Sequence, residues 1–555
     1  MPGPNLLTER SGAWIDAGLE GLQPGVVTGL WREHAKKMLH AIGWADEECF
    51  SRTFQGGVTL MHTAPFDTLY AATELNEWAF VQAQRALGSP VAENLKQLDL
   101  PFDQARDFLA ARIEKERKPR LVALRDAALA AGIAFVWDDR CVSLGHGVGS
   151  LAFAPESLPD PEHVPWSSLC NVPITLVTGT NGKSTTVRLL AQIAHEAGLV
   201  AGLSSTDWVR IGDEIQDRGD YSGPMAARMV LRDRRTQIAI LETARGGMLR
   251  RGLGVPRADA AVITNVAEDH LGEFGVGDLK GLVDAKFTIA RAIQDGRLVL
   301  NCDDEQVLAR GRTLAKPLLW VALDAQHPTL TRHVAAGGDA CFVEGGTIVL
   351  VRRKKRHEIC SVQDVPITLG GAARYNVSNA LCAVGAAAAM ELTPKAIAAG
   401  LRKFANTPTT NPGRANVFTR NGATIFADFA HNPHGMLAIL DMCKRLKPKR
   451  WLVILGQAGD RTDEAILDMV RVTWKARPDK VLVKEMQKYL RGRPEGQVVS
   501  IIENELLRLG APPSAIEKFP SEVAAVERAL QWAEPGDLVL LLLHEARDQV
   551  LELLA

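Results

Sequence analysis

The sequence predicts an α/β protein of three parts: a helix-rich N-terminal domain, a central parallel-sheet domain and a C-terminal Rossmann-like α/β domain. Three observations lead there. The 555 residues are enough for about three domains of ordinary size. Two separate series of short β-branched runs alternate with helical segments, the pattern of mainly parallel sheets covered by helices. Ahead of the first series lies a stretch holding Pro155, Pro159, Pro161 and Pro165, where fixed φ angles forbid a helix interior and favour an extended linker. The expected parts are residues 1–155, a linker over 156–170, then 171–408 and 409–555.

In the first part, Leu109 and Ile113, then Leu121, Leu124 and Ala128, recur at helical intervals, and Pro119 separates the two groups. A further helix is expected over 30–42. The first strand series is 174–177, 238–241, 261–264 and 298–300. The second begins after Asn411-Pro412-Gly413 with 424–427, 451–455, 481–483 and 538–543. The basic run Arg352-Arg353-Lys354-Lys355-Arg356 follows the apolar stretch 347–351. It fits either a solvated hairpin tip on an edge strand or a polyanion site.

Composition excludes several classes. Apolar residues make up 46% and charged residues 23%, which argues against a disordered or fibrous chain. Lys plus Arg (64) nearly balance Asp plus Glu (65), so net charge gives no reason to expect nucleic acid or an anionic membrane as partner. The eight cysteines are scattered without a C-x-x-C pair and read as reduced thiols. The first 18 residues lack a signal-peptide core, and no later apolar run approaches the roughly 18 residues of a membrane helix. A cytoplasmic location is the expectation.

The strongest motif is Gly179-Thr180-Asn181-Gly182-Lys183-Ser184-Thr185, between the strand ending at Val177 and a helix with Leu189, Leu190, Ile193 and Ala197 on its apolar face. Glycines let backbone N–H groups close on phosphate oxygens, and the helix N-terminus adds positive potential. Lys183 can neutralise the terminal phosphates and the Ser184 hydroxyl can ligate Mg²⁺. Val177 occupies the first glycine position of the longer phosphate-loop pattern.

Two further strands end in chemistry-bearing residues. Glu242 follows 238–241, where an open α/β sheet presents its ligands; it reads as a Mg²⁺ ligand or as a surface carboxylate. Arg245, Arg250 and Arg251 come next, to hold an anion or simply to be solvated. His270 stands in Thr264-Asn265-Val266-Ala267-Glu268-Asp269-His270, and by itself reads as a capping or core histidine. Lys286, by itself, reads as a solvated helix lysine. Asn376, in 369–380, fits a helix cap, as does Ser378. Asp428 fits a turn cap after a strand.

The shortened loop resembles the ATP loop of the Mur ligase superfamily. Glu242-Thr243-Ala244-Arg245-Gly246-Gly247, the segment ending at His270, Asn376 in its Ala-rich helix, Asn411-Pro412-Gly413-Arg414 and Asp428-Phe429-Ala430-His431-Asn432-Pro433 are similar to that superfamily's motifs in order, with Phe429 where tyrosine is usual. The resemblance spans about 380 residues and is to the cyanophycin synthetase version in particular. It implies the Mur ligase architecture, with 171–408 as the P-loop ATPase domain, and ATP and Mg²⁺ as cofactors. Gly179, Thr180, Asn181, Gly182, Lys183, Ser184, Thr185, Asn376, Arg414, Asp428 and His431 would bind the nucleotide. Ser184, Glu242 and His270 would hold metal, and Lys183, Glu242, His270, Lys286 and Arg414 would serve catalysis, Lys286 falling where relatives carry a carbamylated lysine.

The reaction implied is ATP-dependent joining of an amino-acid amine, such as that of arginine, to an aspartyl-type carboxylate through an acyl phosphate. Closure of the third domain over the second would exclude water. Gly3-Pro4-Asn5, Trp31, His34, 59–62 and Leu144-Gly145-His146-Gly147 resemble the amino-terminal domain of cyanophycin synthetase, and a structural role suits them equally. An ATP-grasp domain would be expected after that domain, and the linker stands there instead. A partner enzyme supplying that half-reaction, and a homo-oligomer by analogy with relatives, follow as expectations. The other reading is a nucleotide-binding subunit that makes no product and partners a separate ATP-grasp ligase.

Overall fold

The strand that leads into the phosphate loop, Ile174–Thr178, is buried along its whole length, as a strand covered on both faces must be. The computed structural model describes residues 1–554. The chain forms two compact units: Met1–Lys183 with Ala194–Trp320 and Gly385–Thr393, and Ser184–Ile193 with Val321–Val384 and Pro394–Ala555.

In the first unit seven strands run side by side in the order Glu214–Arg218, Trp208–Ile211, Ala201–Ser204, Ile238–Glu242, Ile174–Thr178, Ala260–Ile263 and Arg297–Asn301. The five from Ala201–Ser204 onward are parallel, and the first two join antiparallel. The four strands expected from the β-branched runs are all here, with ends within one residue.

The N-terminal part carries helices over the expected stretches, Pro24–Ala41, Phe102–Glu116 and Pro119–Ala130, and a further one that was not expected, Leu69–Ala86. It also carries strands that the sequence pattern did not suggest. Gly12–Gly18 and Cys49–Phe54 flank Gly57–Thr63 in one antiparallel sheet, and Phe135–Asp138, Cys141–Leu144 and Leu151–Phe153 form another. Trp31, Met38, Leu75 and Trp78 pack with Val58 and Leu60 in its core.

The proline-rich stretch is a packed strap. Short 3₁₀ turns at Pro155–Ser157, Pro161–His163 and Trp166–Ser168 interrupt it. Leu158, Val164 and Leu169 are buried with Leu121, Leu124 and Leu144, so apolar burial holds down a segment expected to be an extended linker.

The second unit holds a six-stranded sheet in the order Asn416–Arg420, Ala423–Asp428, Leu538–Leu542, Trp451–Leu455, Lys480–Lys484 and Ile516–Phe519. It is parallel apart from the first hairpin. Side chains alternate between its faces: Trp451, Val453 and Leu455 join one apolar cluster, Leu452 and Ile454 the other. The basic run closes an antiparallel hairpin between Thr347–Arg352 and Lys355–Ser361. Arg353 and Lys354 take φ of 51° and 64°, and residues 353–356 are exposed, as a solvated tip requires. No helix among the described residues is long and apolar enough to cross a membrane.

Candidate active site

The phosphate loop is stapled to the end of the neighbouring strand. Thr180 N donates to Asn265 O (2.9 Å) and Asn181 N to Asn265 Oδ1 (2.9 Å). Thr180 Oγ1 donates to Ala267 O and accepts from Ala267 N, both at 3.0 Å. Thr264 Oγ1 and Asn265 Nδ2 both donate to Asn181 O, at 2.7 and 3.0 Å. Asp304 Oδ2 accepts from Val266 N (2.8 Å). Lys183 Nζ curls back onto the carbonyls of Gly179 (3.1 Å) and Thr180 (3.0 Å). Its ammonium is therefore pre-placed within the loop, and Lys183 opens the helix Lys183–Glu196, whose N-terminal end favours an anion. Ser184 and Thr185 are buried in that turn.

Gly179 has φ 152°, and a Cβ there would strike the Thr264 hydroxyl. Gly179→Ala is therefore expected to push Thr264 off Asn181 and destabilise the protein by about 1–3 kcal/mol. Urea unfolding, with calorimetry of nucleotide binding alongside, checks both consequences.

Around the loop in the same unit stand the other expected residues. Glu242 ends its strand, is 2% exposed and accepts from Thr206 Oγ1 (2.7 Å) and Thr206 N (3.2 Å). Arg245 is buried and donates to His270 O (2.5 Å) and to Glu273 Oε2 (2.6 Å). His270 itself is exposed, adopts φ 51° and places Nδ1 3.2 Å from Glu273 Oε1. It is neither a core histidine nor, among the described residues, a helix cap.

Lys286 is no solvated lysine. It is 4% exposed within the helix Leu279–Phe287. Burial, then the like charge of Lys183, hold its ammonium well below the usual lysine range; Asp269 and Asp304 oppose this, and Arg245 adds to it. A neutral amine is thereby favoured.

In the second unit, Asn376 lies within the helix Arg374–Ala389, so neither it nor Ser378 is the cap. It is buried, donates to Ile367 O (3.1 Å) and accepts from Asn379 Nδ2 (3.1 Å). Asp428 caps the turn after its strand, accepting from Ala430 N (2.7 Å) and Ala415 N (2.8 Å). Burial raises its carboxyl above the ordinary aspartate range, against the pull of Arg414 and these amides. The Arg414 guanidinium lies 5.1 Å from the Phe429 ring centroid. Phe429 is flanked at 5.3 Å by His431 and by His544, so the phenylalanine at the usual tyrosine position fills an aromatic and cationic cluster. His431 Nδ1 is 3.0 Å from Phe429 O.

Thr206, Thr264, Asn265 and Asp304 were given no role from sequence. Asp304 carried a signal: it is the N-cap of Glu305–Gly311, accepting from Val307 N. Thr206 carried none.

The Mur ligase middle domain matches residues 177–387, and the Mur ligase glutamate ligase domain matches 413–542. This chain belongs to the Mur ligase family. Among curated Mur ligase relatives, cyanophycin synthetase of Nostoc sp. is 34% identical over 372 residues, 67% of this chain and 41% of that protein. Cyanophycin synthetase of Synechocystis sp. is 33% identical over 384 residues, 69% of this chain and 43% of that protein. UDP-N-acetylmuramoyl-L-alanyl-D-glutamate--2,6-diaminopimelate ligase of Corynebacterium glutamicum is 28% identical over 379 residues, 65% of this chain and 68% of that protein. The chain thus spans about two fifths of the length of the cyanophycin synthetases it matches. The loop, Glu242, His270, Lys286 and Asn376 fall inside the matched Mur ligase middle domain, and Arg414, Asp428 and His431 inside the matched C-terminal one.

Proposed function

We propose that this chain is an ATP-dependent, ADP-forming ligase that joins a carboxylate to an amino-acid amine through an acyl phosphate. The observation that carries the reading is the phosphate loop stapled to residues 264–267 with Lys183 held inside its curve, in a chain of the Mur ligase family. The carboxylate oxygen attacks the γ-phosphorus of ATP, the bond to the bridging oxygen breaks and ADP leaves. The amine then attacks the acyl carbon and phosphate leaves.

In this reading the loop amides and Lys183 bind and neutralise the transferring phosphoryl group. Asn376, Arg414, Asp428 and His431 contact the nucleotide, with the Arg414 guanidinium on its phosphates. Glu242 suits a hard cation: Thr206 occupies two of its roughly four acceptor positions, and the rest point to oxygen chemistry of the Mg²⁺ kind. Mg²⁺, held by Glu242, Ser184 and His270, would supply charge stabilisation at the phosphates. The likeness to cyanophycin synthetases favours arginine as amine and an aspartyl-type carboxylate as acceptor, in cyanophycin-like metabolism.

Lys286 is assigned a carbamate, since only a neutral lysine amine adds CO₂ and its burial favours that form. Removing bicarbonate is expected to lower the rate roughly 10–100-fold, with recovery on its return. Lys286→Met should be equally slow and indifferent to bicarbonate.

The test of the whole reading is phosphate release from ATP with an aspartyl acceptor and each amino acid in turn, with mass spectrometry of the product. Release that needs both partners, with one new amide bond, establishes the ligase. Nucleotide binding with no product from any pair would instead favour a non-catalytic subunit that partners an ATP-grasp ligase.

A further inference from the structure

Leu144-Gly145-His146-Gly147 takes no part in the ligase chemistry. Its neighbours in the resemblance are satisfied core residues: Trp31 Nε1 donates to Asn76 Oδ1 (2.8 Å), and both His62 nitrogens meet carbonyls, at 2.9 and 3.0 Å. His146 differs. It is 4% exposed, and neither ring nitrogen has a hydrogen-bond partner among the described residues. Burial pushes the imidazole down to about 4, so near neutral pH it offers one N–H donor and one lone pair. Its backbone is clamped: His146 N donates to Cys170 O (2.9 Å), Gly149 N to His146 O (3.1 Å) and Val148 N to Thr236 O (2.9 Å). Gly147 takes φ 57°, and a Cβ there would strike the Thr236 carbonyl. A buried, fixed and unpartnered imidazole is a group that awaits a ligand.

His146 lines a cavity of about 990 Å³ inside the first unit, at the upper end of the range for small-molecule sites. The cavity reaches Ile174, Asp259 and Gly296, the amino ends of three parallel strands. The phosphate loop lies at the opposite end of the first of these, roughly 15 Å away for five residues of strand.

The lining specifies a chemistry. Phe66 meets Phe135 and Trp137 edge-on, at 5.9 and 5.6 Å, giving an aromatic wall. Most of the lining carboxylates are already engaged: Asp259 takes Ile174 N (2.7 Å), Asp67 takes Lys118 N (2.9 Å), Glu47 takes Arg10 (2.6 Å), and Asp295 faces Arg257 (3.8 Å). Glu9 lies near Arg291. Arg125 is paired with Asp126 (2.7 Å) and lies over the Phe66 ring, and Arg228 is the more loosely paired cation. Its Nη1 is 3.9 Å from Asp138 Oδ2, an oxygen that Arg232 holds at 2.6 Å; Asp138 and Asp139 favour its charge, while Arg232 and Arg251 oppose it.

We propose that this cavity is a second small-molecule site, separate from the phosphate loop, for an amphipathic carboxylate. The apolar body packs on Phe66, Phe135 and Trp137, the carboxylate pairs with Arg228, and a hydrogen-bonding group meets His146. The inference does not depend on the ligase reading.

Dansylglycine and its primary amide, dansylglycinamide, serve as fluorescent probes of the full-length chain. Wild type is expected to bind one dansylglycine with a blue-shifted emission, and the amide at least about tenfold more weakly. Arg228→Gln should bind acid and amide alike, and His146→Phe should weaken dansylglycine by about tenfold or more. Lys183→Ala should bind as wild type does. Equal affinity of wild type for acid and amide, a preference for the acid that survives R228Q, or loss of binding in K183A would each overturn the proposal. R228Q, at a half-buried position, decides the matter alone if H146F does not fold.

Discussion

Alanine at Lys183 is expected to cut ATP-dependent amide formation by about 10²–10³, the usual effect of deleting one preorganised stabiliser of transition-state charge. The ammonium already sits on the carbonyls of Gly179 and Thr180, so no reorganisation is needed when phosphate arrives. The loop does not depend on it for shape, because Thr180, Asn181, Thr264, Asn265 and Ala267 hold each other. K183A should therefore keep wild-type circular dichroism and unfold at nearly the wild-type urea concentration. Lys183→Arg keeps the charge but replaces a compact ammonium with a planar fork, and should recover only part of the rate. Product formed by K183A at the wild-type rate would remove the loop from the mechanism.

The second large effect concerns stability. Glu522 is 1% exposed and pairs with Lys484, which is fully buried. The same carboxylate accepts from His544 N and Ala546 N, both at 2.8 Å. Glu522→Ala strands the Lys484 charge and these amides, and is expected to cost about 3–5 kcal/mol, a large share of the roughly 5–15 kcal/mol that holds a domain folded. The loss should also reach the aromatic cluster, since His544 Nε2 lies 3.1 Å from Ala430 O.

The pH dependence gives an independent check. Desolvation raises the Glu522 carboxyl, but Lys484 and the amides outweigh it and leave it below its ordinary 4.5. The unfolded chain thus binds the proton more readily, and the contribution is present above about pH 4.5 and lost as pH falls through the folded value. E522A should lack that acid-side loss in urea unfolding. A double variant with Met at 484 and Leu at 522 should regain most of the stability. A wild-type urea midpoint in E522A would show that the pair contributes nothing.

The parallel strands were legible because burial on both faces leaves an apolar, β-branched run that needs no partner to be recognised. Glu214–Arg218 was not, since its side chains are largely exposed and its place is fixed by pairing with Trp208–Ile211. The extended linker was expected from proline alone; the apolar residues between the prolines decided its packing. Lys286 and His146 show the same limit at single residues. A lysine between Ala285 and Phe287, or a histidine between two glycines, reveals neither its burial nor its neighbours, which come from distant segments. Glu242 and Lys183 were readable because a strand end and a glycine-rich turn define their positions locally.

The staples of the phosphate loop join residues 83 to 87 positions apart in sequence. Contacts so far apart form only after a long loop has closed. During synthesis the sequence 179–185 therefore leaves the ribosome well before the segments that shape it, and Asp304, which fixes Val266, emerges later still. A nascent chain halted before residue 264 carries the whole glycine-rich motif without its staples, and nucleotide can reward the fold only once the fourth parallel strand is in place.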